Sequence, residues 1–353
     1  MKYFKTIIFC LFFLMLSSLA IAQDYSVGNA KPLFASHELL NITLRGDFKT
    51  ILDDIGDERT EHTAMLEYVE NGDTVVLNVK IMTRGNFRRD DDNCVFPPLK
   101  LNFIKKQVKG TLFDGMDKVK LVTHCRPNSK AYRQYNIGEY LAYRIYNIIT
   151  DTSFRVRPAI INYIDEPSGK KSQESNAFFI EPDDVLADRI GGKEYKKKYV
   201  FQDSTRYDHM TRLAIFQYLI GNTDWAVSTL HNIKLFQTDT AKPAYAIPYD
   251  FDWSGTVNTV YAKPLPRFEL ETVSDRLFRG YCRSMQEFKE QFEYFRAKKA
   301  EIYGLYEDYE PLGKRQRKDA LNYFDDFYEI IDNDNLIQID FLDRCLREDK
   351  FTD

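Results

Sequence analysis

Residues 221–237, GNTDWAVSTLHNIKLFQ, and residues 244–255, AYAIPYDFDWSG, decide how this chain is read. An apolar segment, Leu213 to Ile220, runs into a polar turn carrying Asn222 and Asp224. His231 and Asn232 precede an apolar run, Ile233 to Phe236; a polar tip, Thr238 to Lys242, separates it from a second run, Ala244 to Ile247. Asp250 and Asp252 follow. The pattern predicts a helix, a polar loop, a hairpin and paired carboxylates. A hairpin brings its ends together, so Asn232 is expected near Asp250, with Asp224 facing both.

Those residue types match the needs of phosphoryl transfer. A carboxylate must orient the attacking hydroxyl, and oxygen ligands must hold a divalent cation against nucleotide phosphates. Taken singly, each residue also has a structural reading: Asn222 and Asp224 cap a turn, and Asp250 and Asp252 end a strand. The ordered set favours a site.

The chain has 353 residues, 44% hydrophobic and 29% charged, which is the composition of a folded protein of one large bilobal unit or two modest domains. Lys2 and Lys5 precede an apolar run, Ile7 to Leu16, and Ala20-Ile21-Ala22 offers small residues for cleavage before Gln23, so residues 1–22 read as a signal peptide. No later segment approaches the length of a membrane span. The formal charge of −4 argues against nonspecific nucleic-acid binding. After cleavage four cysteines remain, in no common zinc spacing. In an exported protein the preferred pairings are Cys94 with Cys125 and Cys282 with Cys345; buried free thiols are the alternative.

Strands are expected at Leu40–Leu44, Thr63–Glu70, Thr74–Met82, Leu99–Phe103, Lys118–Val122, Val156–Ile164 and Asn176–Ile180, with Asn71-Gly72 turning the first hairpin. Helices are expected at Lys130–Ile149, Asp183–Arg189, Tyr207–Ile220, Met285–Tyr303, Lys314–Ile331 and Gln338–Arg347. This is an α+β chain: a β-rich amino-terminal lobe, residues 23–182, and a mostly helical carboxy-terminal lobe, residues 183–353. The order resembles the bilobal plan of a kinase-like fold.

Three pieces resemble the CotH family of atypical protein kinases, distantly related in plan to HipA-like kinases. They are Arg84-Gly85-Asn86 with the downstream strand lysine Lys100; Asn222-x-Asp224 with His231-Asn232; and Pro248-Tyr249-Asp250-Phe251-Asp252 with Gly255. The resemblance covers roughly residues 75–260. It implies ATP-dependent phosphorylation of a protein substrate, with Asp224 as catalytic carboxylate in the loop begun by Asn222. Asn232 and Asp250, supported by Asp252, would hold Mg²⁺ or Mn²⁺.

The chain departs from the protein-kinase pattern. Asp224 and Asn232 stand eight positions apart, against five in H-R-D-x-x-x-x-N. There is no G-x-G-x-x-G, so Arg84 and the amides around Gly85 either grip phosphate or form an ordinary turn. Lys100 and Lys120 both alternate with apolar neighbours, as a cleft lysine does, and the Arg84 context favours Lys100. Glu139, on the following helix, is a candidate partner for that lysine, and Glu181 a neighbour for adenine. The expectation is an exported kinase-like protein of the periplasm, cell envelope or extracellular space. A non-enzymatic binding protein on a degenerate kinase fold and a metal-dependent phosphohydrolase are the alternatives.

Overall fold

The computed structural model describes residues 30–171 and 174–347, so the expected signal peptide, residues 1–22, lies outside the described residues. Strand β1 (Leu40–Gly46) leads through helix α1 (Phe48–Asp53) into the hairpin β2 (His62–Glu70) and β3 (Asp73–Thr83). Asn71 and Gly72 turn that hairpin at φ 52° and 90°, a conformation asparagine and glycine accept with little steric cost. Then come β4 (Leu99–Phe103), α2 (Lys105–Val108), β5 (Lys118–Val122), α3 (Lys130–Ile149), β6 (Val156–Asp165), β7 (Lys170–Lys171) and β8 (Ser175–Ile180).

These strands run β1-β2-β3-β4-β5-β8-β6, and β6 pairs in parallel with β1 from Leu40↔Ala159 to Gly46↔Asp165. The sheet therefore closes into a seven-stranded barrel, which is not a kinase-like feature and corrects the bilobal expectation on that point. Alternation explains its filling. In β4, Leu99, Leu101 and Phe103 point inward and are buried, while Lys100 and Asn102 face out. Leu44, Leu66, Val79, Val119, Leu121, Ile161 and Phe179 add to the same core.

The remainder is mostly helical: α4 (Asp183–Arg189), the two-residue strand β9 (Lys193–Glu194), α5 (Tyr207–Leu219), the hairpin β10 (Ile233–Gln237) and β11 (Tyr245–Pro248), α6 (Met285–Glu307), α7 (Lys314–Ile331) and α8 (Asp334–Ile337). Ser284 caps α6 through a reciprocal capping box with Glu287. Helix α3 is buried almost all round, from Asn136 to Tyr146, because it packs between β8 and α6. Its apolar side chains share a second core with α5, α6, α7 and the hairpin.

The expected helix Gln338–Arg347 is replaced by α8 and a single π turn at Gln338–Leu342. Cys345 is bonded to Cys282, and the Leu346 backbone pairs with the segment around Gly280, so the chain is drawn away from a helical path. Cys94 and Cys125 form the other disulfide. Among the described residues no helix is long and apolar enough to cross a membrane.

Candidate functional site

Helix α5 ends at a sharp turn. Gly221 adopts φ +65°, and a Cβ there would overlap the Tyr323 hydroxyl, so both conformation and space call for glycine. Gly255 donates its amide to the Gly221 carbonyl at 3.0 Å, which ties the turn to the segment after the hairpin. Asn222 is buried; its Nδ2 donates to Gln217 Oε1 at 3.0 Å and its Oδ1 accepts from the Asp224 amide at 3.0 Å. Asn222 thus shapes the loop and presents Asp224.

Asp224 is held at both carboxylate oxygens. His231 Nε2 lies 2.8 Å from Oδ1, and Asn232 Nδ2 donates to Oδ2 at 2.9 Å and to the Asp224 carbonyl at 2.8 Å. The hydrogen bond that His231 donates to Asp224 raises the pKa of His231 above its usual value. Asn232 then begins β10, and its carbonyl accepts from the Tyr249 amide at 3.0 Å across the hairpin. The hairpin therefore brings Asn232 beside the Tyr249-Asp250 step, as expected.

Asp250 leaves β11 at φ 64° with its amide donating to the Tyr143 hydroxyl at 2.8 Å. Leu230 (φ 58°) and Asn232 (φ 51°) are also left-handed. Asparagine and aspartate accept this conformation readily, whereas for Leu230 it costs about 1–2 kcal/mol, and all three border one cleft. The surrounding packing holds this backbone in place, a pattern typical of ligand sites.

The unforeseen residue is Arg88, on the loop between β3 and β4. Its guanidinium lies 3.0 Å from Glu139, 2.9 Å from Asp250 and 3.5 Å from Asp252. Glu139 and Asp252 are almost fully buried, and burial raises both carboxyl pKa values while Arg88 opposes it. Asp252 also accepts from the Tyr261 hydroxyl at 2.9 Å. Among the described residues no three His, Cys, Asp or Glu side chains are grouped to hold a metal. Asp224, Asn232, Asp250 and Asp252 all line the cleft with oxygen-bearing side chains, and of these Asn232 and Asp250 stand together at the end of the hairpin. Such a pair suits Mg²⁺, which takes one or two protein oxygens and completes its shell with water and phosphate. Asp252, under Arg88 and Tyr261, suits a supporting role.

Asp224, Asn232, Asp250 and Arg84 line one cleft of about 830 Å³. Arg84 is half-buried and, among the described residues, its guanidinium makes no hydrogen bond or ion pair; burial lowers its pKa and the Asp250 charge opposes that shift. An inner recess joins Arg84, Arg88, Glu139 and Asp250 to Lys120. Lys120 lies 3.5 Å from Asp183, and burial lowers its pKa to about 8. Lys100 sits directly opposite Lys120 on the neighbouring strand yet lines neither space.

No protein-family model matches this chain, and no curated protein matches it. Among solved structures, the crystal structure of the Golgi casein kinase is similar at 9% identity and TM-score 0.37, over 69% of this chain and 70% of that one. A likeness that weak assigns neither a family nor an activity.

Glu181 stands apart from the cleft. It is fully buried and accepts from Arg189 at 2.8 Å and from the Arg155 amide at 3.1 Å, which makes it a fastening between α4 and the start of β6. Glu139 is in the site, but its partner is Arg88 rather than either lysine. Arg88 had one signal in the sequence, its spacing of four from Arg84, but a polar loop without periodicity does not fix where a side chain reaches.

Proposed function

We propose that this chain is an exported, kinase-like phosphotransferase that moves the γ-phosphoryl group of ATP to a protein hydroxyl. The observation that carries the reading is that Asp224, Asp250 and Arg84, unpaired among the described residues, line the same cleft. Asp224, held at both oxygens, orients the acceptor hydroxyl and takes its proton as the new oxygen–phosphorus bond forms and the bond from the γ-phosphorus to the bridging oxygen breaks, releasing ADP. Arg84 and Lys120 supply positive charge for the phosphates, and Glu139 holds Arg88 in place. Asp250 and Asn232 are the residues that would hold Mg²⁺ or Mn²⁺, which when bound neutralises phosphate charge. Export rests on the segment 1–22, and the two disulfides are compatible with it.

Incubation of the mature chain with γ-labelled ATP, Mg²⁺ and a generic protein acceptor tests this. The reading expects label on protein, lost in Asp224→Asn. Release of free phosphate without labelled protein favours a phosphohydrolase instead.

One observation favours a second reading. Arg88 already gives Asp250 and Asp252 a positive partner, which suits a protein that binds an anionic ligand in the cleft without transferring a group. Nucleotide binding with no transfer to any acceptor supports that reading.

A further inference from the structure

A charged strip runs beside the loop that carries Asp224. Residues 193–198, Lys-Glu-Tyr-Lys-Lys-Lys, hold four lysines and one glutamate, in a chain whose formal charge is −4. A run of this kind is ordinarily a solvated loop. This one is fastened. Lys193 and Glu194 pair as β9 with Gln237 and Phe236 of β10. The Tyr195 amide donates to the Leu235 carbonyl at 2.7 Å, and the Tyr199 amide donates to the Ser228 carbonyl at 2.7 Å. The strip therefore follows the edge of β10 back to the loop before it. The next three residues of that loop, Thr229, Leu230 and His231, line the cleft.

The charge of the strip is largely unspent. Its one acid, Glu194, is shared, 3.1 Å from Lys196 and 3.0 Å from Lys234. Lys197 and Lys198 are exposed and make no ion pair among the described residues. Tyr199 comes next and is 77% exposed. Its φ is 59°, a conformation that a bulky side chain rarely adopts. Packing of the ring does not offset that strain, because the residue stands in solvent. The bond to Ser228 holds the backbone instead, and an aromatic ring is kept in water beside three lysines. Strain held in place is a feature of functional surfaces, and an exposed tyrosine offers contact area at small entropic cost.

We propose that Lys196, Lys197, Lys198 and Tyr199 form a docking surface for an acidic peptide segment. Assigning that segment to the protein acceptor rests on the phosphotransferase reading; the surface itself does not. Docking here would bring the residues next to the segment to the cleft, on the side of Asp224 and His231. An anionic bilayer fits less well. A broad surface faces the net negative charge of the whole chain, whereas a short segment meets the lysines alone, since charges beyond about 8 Å are largely screened at physiological salt.

Fluorescence anisotropy of a fluorescein-labelled oligoglutamate peptide titrated with the mature chain tests the proposal. An oligolysine peptide and phosphatidylglycerol vesicles are the comparisons. The expected result is saturable binding of oligoglutamate that weakens with added salt, and none of oligolysine. Lys196→Glu, Lys197→Glu and Lys198→Glu combined should weaken it by about tenfold or more. Tyr199→Gly accepts this backbone without strain, so it should keep the fold by circular dichroism and still weaken binding by about threefold. Arg84→Met controls for capture by the cleft and should bind as the parent does. Absence of saturable binding, unchanged binding in the triple lysine variant, loss in Arg84→Met alone, or preference for the vesicles overturns the proposal. Unchanged binding in Tyr199→Gly overturns the part of Tyr199. With γ-labelled ATP, the triple variant should show a raised KM for an acidic acceptor and an unchanged kcat. Absence of transfer by the parent counts against the phosphotransferase reading, while peptide binding still decides the surface.

Discussion

Nη2 of Arg88 lies 2.9 Å from Oδ1 of Asp250, although 162 residues separate the two in sequence. The contact joins the loop after β3 to the end of the hairpin β10–β11. The same guanidinium is the counter-charge of two buried acids, Glu139 and Asp252. Removing one partner of a buried ion pair costs about 3–5 kcal/mol, because the other charge stays behind. Arg88→Met is therefore expected to lower unfolding free energy by about that amount in urea titration, and to do so less at low pH, where the acids protonate. A loss below about 1 kcal/mol at neutral pH would show that Arg88 does not hold this cluster together.

How much of this was legible follows from the range of the interactions. The hairpin Ile233–Pro248, the turn at Asn71-Gly72 and the helix Lys130–Ile149 were readable, because each rests on local periodicity or local turn chemistry. The juxtaposition of Asn232 with Asp250 followed from the hairpin alone. Barrel closure was not readable: β1 and β6 pair in parallel across more than a hundred residues, and alternation looks the same in an open sheet. Lys100 and Lys120 alternate alike with apolar neighbours, the Arg84 context favours Lys100, and only the placement of β5 against β8 and α4 brings Lys120 to the candidate site. Arg88 was hidden in a loop whose path depends on partners elsewhere in the chain.

The two lysines separate by mutation. Lys120→Met should weaken nucleotide binding by about tenfold or more, since it removes a charge from the inner recess. Lys100→Met should leave affinity unchanged. Fluorescent-nucleotide titration decides, and the opposite ranking would return the role to Lys100.

Reduction of the disulfides should destabilise the protein by loss of cross-linking. Cys94–Cys125 spans 31 residues and Cys282–Cys345 spans 63. Chain-entropy arguments give about 4 kcal/mol for each, with the longer loop slightly ahead. Thermal unfolding with and without reductant should show a large drop in midpoint, and Cys-to-Ser pairs should divide it between the bridges. An unchanged midpoint would contradict this. Cys94→Ser with Cys125→Ser should also loosen the loop that carries Arg88, seen as faster amide exchange at residues 86–94.

Acid should weaken the fold through two neutral histidines. His124 and His209 are buried, and burial lowers each pKa to about 4. His209 also meets the Ala246 carbonyl at 2.8 Å and the Tyr146 hydroxyl at 3.2 Å. The unfolded chain binds protons near pH 6.5 and the folded chain does not until near pH 4, so stability falls as pH drops between those values. The loss approaches about 3 kcal/mol per histidine at the acid end. Urea midpoints measured from pH 7 to pH 4 should fall steadily, less steeply in His209→Gln. A flat profile would contradict the assignment.

In the proposed phosphotransferase Asp250 serves Mg²⁺–ATP in the cleft while Asp224 serves the acceptor. Calorimetric titration of the parent chain, Asp250→Asn and Asp224→Asn with Mg²⁺–ATP tests it most directly, with circular dichroism to verify each fold. The account predicts binding by the parent, loss of Mg²⁺-dependent binding in Asp250→Asn, and near-parental affinity in Asp224→Asn with transfer abolished. Absence of binding by the parent, or unchanged binding in Asp250→Asn, would contradict it.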